Sequence, residues 1–270
     1  MALELAIACG VAEVWAQPGG GADDDLLTQA LLGEPAVVLE ERAGWARVRL
    51  PDYEGWVAAA CLAPAAPVDT AEVLAITALA APLYATAAGG APVDEVYLGT
   101  VLPLLGSERA RWRVALPGGR SAWVDCAAGT PAPRRCPFPP RPAAEAVAVA
   151  RRFLGCPYRW GGRTCRGIDC SGLVQLVYRV NGYPLPRDAD QQWAALSTTV
   201  PRDALAPGDL LFFARDGVVV HVALALGGDA FLHALGAPPR GVCVESLDPA
   251  APHYNARLAA QYLGARRVTQ

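Results

Sequence analysis

Lysine is absent from this chain: all 23 basic residues are arginine. The absence reads as a compositional bias and not as a functional signal. Against 26 acidic residues the formal charge is only −3, and the arginines form no basic stripe. Such a chain is a poor candidate for nucleic acid, which needs clustered positive charge. Long apolar runs are missing too, and none approaches the ~20 residues that span a bilayer. The N-terminal stretch MALELAIACGVAEVWAQPGG has no basic start and carries Glu4 and Glu13, so it reads as a first strand and not as a secretory leader. These absences lead to the expectation of a cytoplasmic protein with no membrane association. Histidine is scarce, with only His221, His233 and His253, so any imidazole chemistry has to use these positions.

What is present is apolar. Hydrophobic residues fill 53% of 270 positions and charged residues 18%, enough for more than one buried core. Eight cysteines would suit a secreted disulfide framework in a short chain. Here the chain is long and the spacing irregular, so they are expected to be reduced, most of them small buried thiols.

The first half repeats itself. LLGEPAVVLEERAGWARVRLPDYEGWV spans 31–57 and YLGTVLPLLGSERARWRVALPGGRSAWV spans 97–124. Trp56 lies eleven positions after Trp45, and Trp123 eleven positions after Trp112. Each copy has Leu-Gly, an apolar strand, a charged turn, Trp, a short alternating strand, a Pro/Gly turn and Trp-Val. Ala46, Val48 and Leu50 alternate with Arg47 and Arg49, as half-buried strands require. Short strands with tight turns predict two small β-barrels, which resemble tandem bacterial SH3-like domains over 1–65 and 66–128. The four tryptophans are expected in the barrel cores.

GTPAPRRCPFPPRP, with six prolines in fourteen residues, predicts a stiff linker over 129–142 without helix or strand. AAEAVAVARRFLG then predicts a helix, with Glu145 in its first turn, Arg151 and Arg152 in its last, and Gly155 just after the end. CSGLVQLVYRVNG predicts a second helix over 171–181. Leu173, Val174, Val177 and Val180 share one face and Gly182 suits the cap. DADQQWAAL predicts a short helix. GDLLFF, VVVHVALAL, AFLHAL and VCVESL read as consecutive strands. Helices followed by strands predict an α+β domain with an antiparallel sheet over 143–270.

Cys170 opens the second helix, where unpaired N–H groups and the helix dipole favour an anion, so its pKa is expected to be lowered. His221 and His233 lie on strands flanking Gly227-Gly228-Asp229. A two-residue loop would put them on opposite faces of the ribbon. A three-residue loop over 227–229, pairing Leu226 with Ala230, or an equivalent bulge, puts them on one face. That register gives a nucleophile, a base and an orienting group.

YRWGGRTCRGIDCSGLVQLVY, LPRDADQQ, LAPGDLLFF and HVALALGGDAFLHA, in this order, resemble the NlpC/P60 family of cysteine peptidases over most of residues 145–268. The resemblance implies a papain-like α+β fold, with Cys170 as nucleophile, His221 as base and His233 as the third triad member. It implies that Tyr158 lines the active site and contributes to the oxyanion site. No metal or organic cofactor is implied. Two SH3-like barrels ahead of such a domain resemble the γ-D-glutamyl-L-diamino acid endopeptidases. The implied substrate is a murein tripeptide or tetrapeptide with a free N-terminal L-alanine, and no obligate protein partner is implied. Asp169, Ser171 and Asp188 are then expected to shape the substrate subsite, with Asp169 pairing with the ammonium group. Tyr53 is expected as the aromatic residue supplied by the first barrel.

One position departs from that pattern. The loop after the first strand, expected to carry an acidic residue for the ammonium, reads Gln17-Pro18, and Asp23, Asp24, Asp25 and Glu34 are the candidate substitutes. Cys165 sits in a loop without comparable context, and His253 reads as a loop residue. Trp160 borders the cleft segment and suits either core or cleft. A zinc site from Cys165, Cys170, His221 and His233 lacks the compact ligand spacing such sites use. Two other functions fit the same residues: a non-catalytic wall-fragment-binding scaffold, and an amidase or acyltransferase on the same fold.

Overall fold

The computed structural model describes residues 5–21, 25–66, 70–237 and 241–269. The chain divides into two compact units, Met1–Phe138 and Pro139–Gln270.

The N-terminal unit is all β, and its two halves share one topology. The first sheet contains β1 (Leu5–Ile7), β2 (Val11–Trp15), β3 (Leu26–Leu31), β4 (Pro35–Arg42), β5 (Trp45–Arg49), β6 (Glu54–Ala58) and β7 (Leu62–Pro64). The second contains β8 (Glu72–Ile76), β9 (Ala80–Tyr84), β10 (Pro92–Tyr97), β11 (Val101–Glu108), β12 (Arg111–Leu116), β13 (Arg120–Asp125) and β14 (Gly129–Pro133). Their orders, β3-β2-β6-β5-β4-β1-β7 and β10-β9-β13-β12-β11-β8-β14, coincide strand for strand. The sequence repeat is therefore a repeat of structure.

Alternation decides which side chains go inward. In β5, Ala46 and Val48 are buried while Arg47 and Arg49 are exposed. Ile7, Val14, Val48 and Val57 build the first core, and Leu74, Leu83, Val96 and Val124 the second. The halves also touch: the Gly10 N–H donates to Asp94 Oδ2 at 3.0 Å. A Cβ on Gly10 would lie 2.2 Å from the Glu95 carbonyl oxygen, so the approach needs glycine.

Two expectations fail here. The predicted linker begins with a strand: β14 pairs along β8 from Gly129 to Pro133. It is an edge strand, where prolines that donate no hydrogen bond are tolerated. The tryptophans are also not uniformly core. Trp56 is buried and Trp112 packs against the second core, but Trp45 and Trp123 are half-exposed, and the Arg113 guanidinium lies 5.9 Å from the Trp123 ring centroid.

The C-terminal unit is α+β. Its elements are α1 (Ala143–Arg151), β15 (Arg163–Thr164), β16 (Gly167–Ile168), α2 (Cys170–Val180), α3 (Ala189–Ala195), β17 (Thr199–Val200), β18 (Leu210–Arg215), β19 (Val218–Gly227), β20 (Ala230–Leu235), β21 (Gly241–Ser246), α4 (Ala256–Gln261) and β22 (Tyr262–Arg266). Six strands form one antiparallel sheet in the order β17-β22-β18-β19-β20-β21. Both faces of its centre are buried. Leu211, Phe213, Ala223 and Phe231 pack with Leu258 of α4, while Phe212 on the other face meets Trp193 of α3 edge-on at 5.2 Å.

The predicted elements occur with shifted ends. α1 stops at Arg151, four residues before Gly155. α2 is buried on every side from Ser171 to Tyr178, not along one stripe. Two of its polar members bond inside the unit: Gln175 Nε2 donates to the Leu185 carbonyl at 3.2 Å and the Tyr178 hydroxyl donates to the Gly208 carbonyl. Gly182 follows the C-cap at φ +86°, with Tyr183 N–H bonding the Tyr178 carbonyl and Gly182 N–H the Arg179 carbonyl, a Schellman closure.

Candidate active site

Cys170 is the first residue of α2, and the residue before it holds that helix end in place. Asp169 is the N-cap, extended at φ −95° and ψ 179°, and its Oδ1 accepts the Gly172 N–H at 2.6 Å. Arg187, itself buried, grips the same carboxylate from Nη1 to Oδ1 at 3.0 Å and from Nη2 to Oδ2 at 2.6 Å. Nη1 also donates to Ser171 Oγ at 2.9 Å, and Gln192 Nε2 donates to the Ser171 carbonyl at 3.1 Å. Asp169 and Ser171 thus sit within the packing beneath the nucleophile. Arg187 belongs to the LPRDADQQ segment, but nothing in the sequence marks it out, because its partner is eighteen residues away.

The register of the β19–β20 hairpin brings the histidines together, but not by the predicted loop. Gly227 pairs with Ala230 across a two-residue turn of Gly228 and Asp229, and a bulge at Leu226 restores the alignment Leu224 to Leu232. Gly228, the first residue of the turn, takes φ +58°, and Gly227, next to the bulge, takes φ +104°. The bulge does what a third loop residue would have done, and His221 and His233 share a face. His221 Nε2 lies 2.8 Å from His233 Nδ1.

Two further residues extend this contact, and neither is evident from sequence. His233 Nε2 lies 3.1 Å from Glu245 Oε2, and Asn255 Nδ2 donates to that oxygen at 2.6 Å. Cys243 Sγ lies 3.5 Å from His233 Nε2. VCVESL reads as a strand, but only its pairing with β20, His233 opposite Cys243, shows that Cys243 and Glu245 face the histidine.

Cys170 and His221 line one cleft of about 350 Å³ together with Tyr158, Trp160, Arg215 and Arg257. The Tyr158 ring packs on Gly236, where a Cβ would come within 3.1 Å of it. Trp160 is 52% exposed, so it belongs to the cleft and not to a core. Neither Arg215 nor Arg257 is in an ion pair among the described residues.

The electrostatics correct one expectation. The Cys170 thiol is pushed up to about 12, by burial first and then by the Asp169 charge. The Val222 and Ser171 backbone hydrogen bonds and Arg187 pull the other way but lose. A helix N-terminus acts only within its first turn, and here desolvation outweighs it. His221 falls well below its ordinary value through burial, then through His233 and Arg257. Both shifts favour the neutral forms, thiol and imidazole, of the two groups that line the cleft.

The remaining candidates lie elsewhere. Asp188 is the N-cap of α3, where its N–H meets Gln191 Oε1 at 3.4 Å. Tyr53 sits in the β5–β6 turn of the N-terminal unit, half-buried, its carbonyl accepting the Leu50 N–H at 2.8 Å. In that unit Glu34 is buried and accepts the Leu31 N–H at 3.1 Å, which commits it to its own turn. Asp25 is exposed, Gln17 and Pro18 line a shallow groove with Arg42 and Trp45, and Asp23 and Asp24 fall outside the described residues. All eight cysteines are unbridged, and Cys165 lies in the turn between β15 and β16. Among the described residues, donor atoms that converge within 4.8 Å belong to His233, Cys243 and Glu245, and not to the set Cys165, Cys170, His221 and His233.

A buried helix that begins with cysteine, beside an antiparallel sheet carrying two hydrogen-bonded imidazoles, is the papain-like α+β arrangement. Residues 155–260 match the NlpC/P60 family and residues 19–62 the bacterial dipeptidyl-peptidase Sh3 domain. The chain is 33% identical over 250 residues to a gamma-D-glutamyl-L-lysine dipeptidyl-peptidase of Bacillus subtilis (strain 168), covering 88% of this chain and 81% of that one. A protein of the same name from Bacillus cereus is 32% identical, with 90% and 75% covered. The crystal structure of an NlpC/P60 family protein from Bacillus cereus superimposes with a TM-score of 0.83 at 27% identity, covering 97% of this chain and 99% of that one. The chain belongs to the NlpC/P60 family, and it is a peptidase that carries a bacterial SH3 domain.

Proposed function

We propose that this protein is a cysteine endopeptidase that cuts the γ-D-glutamyl–diamino acid bond of short peptidoglycan stem peptides with a free N-terminal L-alanine. The observation that carries the reading is the shared cleft of Cys170 and His221, with His221 Nε2 held 2.8 Å from His233 Nδ1. The names of the two Bacillus relatives support the bond. Arg215 and Arg257, in no ion pair among the described residues, support an anionic substrate, since a stem peptide brings carboxylates into the cleft.

In this reading His221 takes the Cys170 proton as the sulfur attacks the γ-carbonyl carbon. His221 then gives that proton to the departing amine of the diamino acid, leaving a thioester. Water, deprotonated by His221, attacks the thioester carbon, and the thiol leaves with its proton restored. His233 holds the base, and Tyr158 donates to the oxyanion. Asp169, Ser171 and Asp188 shape the subsite for the substrate ammonium in this reading. The second half of that unit, matching the first strand for strand, is proposed as a second SH3-like domain, with boundaries near 1–65, 66–133 and 139–270. A cytoplasmic place in the recycling of wall fragments suits the requirement for a free amine.

The test is mass spectrometry of L-Ala-γ-D-Glu-diaminopimelate and its N-acetylated form after incubation with wild type and Cys170→Ala. Wild type is expected to release L-Ala-D-Glu from the free peptide alone, and the variant to release nothing. Equal cleavage of both peptides removes the ammonium subsite. Binding without cleavage by wild type and variant alike makes the protein a scaffold.

A further inference from the structure

We propose that Glu245 is a positioning residue for the peptidase reaction proposed above: its carboxylate fixes which nitrogens of His233 and His221 carry protons. The inference rests on that reading only for its functional consequence; with both imidazoles in the neutral form, the proton positions follow from geometry.

A carboxylate accepts and does not donate, so the nitrogen facing Glu245 carries its proton. That nitrogen is His233 Nε2, 3.1 Å from Oε2. The other nitrogen of neutral His233, Nδ1, is then an acceptor. It faces His221 Nε2 at 2.8 Å, so His221 donates from Nε2. A neutral imidazole has one N–H, and the lone pair of His221 is therefore at Nδ1. This is the only ring nitrogen left to take a proton from Cys170. Two contacts, His221 to His233 and His233 to Glu245, thus point one way, away from the cleft that Cys170 and His221 line.

The carboxylate is itself oriented. Asn255 is the N-cap of α4, its Oδ1 accepting the Leu258 N–H at 2.9 Å. That bond fixes which end of the amide points where, so Nδ2 is the end that meets Glu245 at 2.6 Å. Hydrogen bonds from His233 and Asn255 overcome the effect of burial and hold Glu245 below the usual carboxylate range. The anion is kept where the proton relay ends.

Cys243 supplies the competing arrangement. Its Sγ is 3.5 Å from the same His233 nitrogen, and a thiol can donate. An S–H donated to His233 Nε2 would reverse every bond: His233 would donate from Nδ1, and His221 would carry its proton on Nδ1 with no lone pair for Cys170. Glu245 decides between these two chains. An analogous loss of tautomer control in serine proteases lowers kcat about 10⁴-fold.

The direct test is ¹⁵N NMR of histidine-labelled protein, in which three ring systems are present and exposed His253 serves as reference. Wild type is expected to show His221 protonated at Nε2 and bare at Nδ1; a proton on Nδ1 overturns the proposal with no variant required. In Glu245→Leu the Nδ1–H form is expected to appear and kcat to fall about 100-fold with KM unchanged. Removing the competing thiol in the Glu245→Leu/Cys243→Ala double variant is expected to recover at least about tenfold of that loss. A merely structural Glu245 would make the double variant worse, which overturns the proposal. Should Glu245→Leu fail to fold, Glu245→Gln, which keeps the shape and one acceptor oxygen, is expected to lose about tenfold; undiminished kcat overturns the proposal. The NMR readout needs no turnover, so a wild type that cuts no peptide defeats the peptidase reading and leaves the proton positions standing.

Discussion

His221 Nε2 and His233 Nδ1 lie 2.8 Å apart on neighbouring strands whose register depends on one bulged residue, Leu226. The contact leaves His221 a single free nitrogen and gives the ring a fixed orientation. His233→Ala is expected to lower kcat by about 10²- to 10⁴-fold, with KM changed little, because the base loses its tautomer and orientation. Steady-state kinetics on the tripeptide check this.

The bulge gives a second prediction. Gly227→Val forces a branched side chain into φ +104°, at a cost of about 1–2 kcal/mol. Denaturant unfolding is expected to show that loss together with reduced kcat, since the strain sits where the histidine register is set. A fall in stability with unchanged turnover would separate the bulge from the relay.

Arg187 and Asp169 form a buried pair beneath the nucleophile. Arg187→Leu leaves the Asp169 charge without its partner, and breaking a buried pair on one side costs about 3–5 kcal/mol. A lowered midpoint in chemical unfolding is expected, while Asp169→Asn/Arg187→Leu should recover part of the loss because no orphaned carboxylate remains.

The acid–base state of the site predicts its pH response. The Cys170 thiol is raised to about 12, so iodoacetamide labelling is expected to climb with pH from neutral through the alkaline range instead of levelling off in mildly acidic solution. A raised thiol stabilises the fold fully below the ordinary thiol value and loses that contribution as pH rises toward about 12. His221 is shifted down. Its contribution is present above the ordinary imidazole value of about 6.5 and is lost as pH falls from there toward the folded value. The acid limb of kcat/KM is therefore expected well below that value. A labelling plateau near about pH 6 would show a resting thiolate.

Much of the fold and site is legible in sequence, and what is not has identifiable causes. The Trp spacing of the repeat, the cysteine at a helix start and the two strand histidines are readable because each is a local pattern. The N-cap at Asp169 is readable from its position before the helix, but its ion pair with Arg187 is not, since that contact joins separate segments. Glu245 and Cys243 lie in a strand whose facing is undefined until its pairing with β20 is known. The β14 strand is masked by its prolines, which forbid central strands but not edges. The direction of the Cys170 shift escapes a sequence reading because a helix terminus is visible in a sequence and desolvation is not.

The central claim is that Cys170 becomes acylated during turnover. Intact-mass spectrometry of enzyme quenched in acid while cleaving L-Ala-γ-D-Glu-diaminopimelate measures this directly. The predicted result is a transient adduct equal to L-Ala-D-Glu less one water, mapped to the peptide containing Cys170 and absent from Cys170→Ala. Full turnover by Cys170→Ala, or an adduct mapped to another residue, would contradict it.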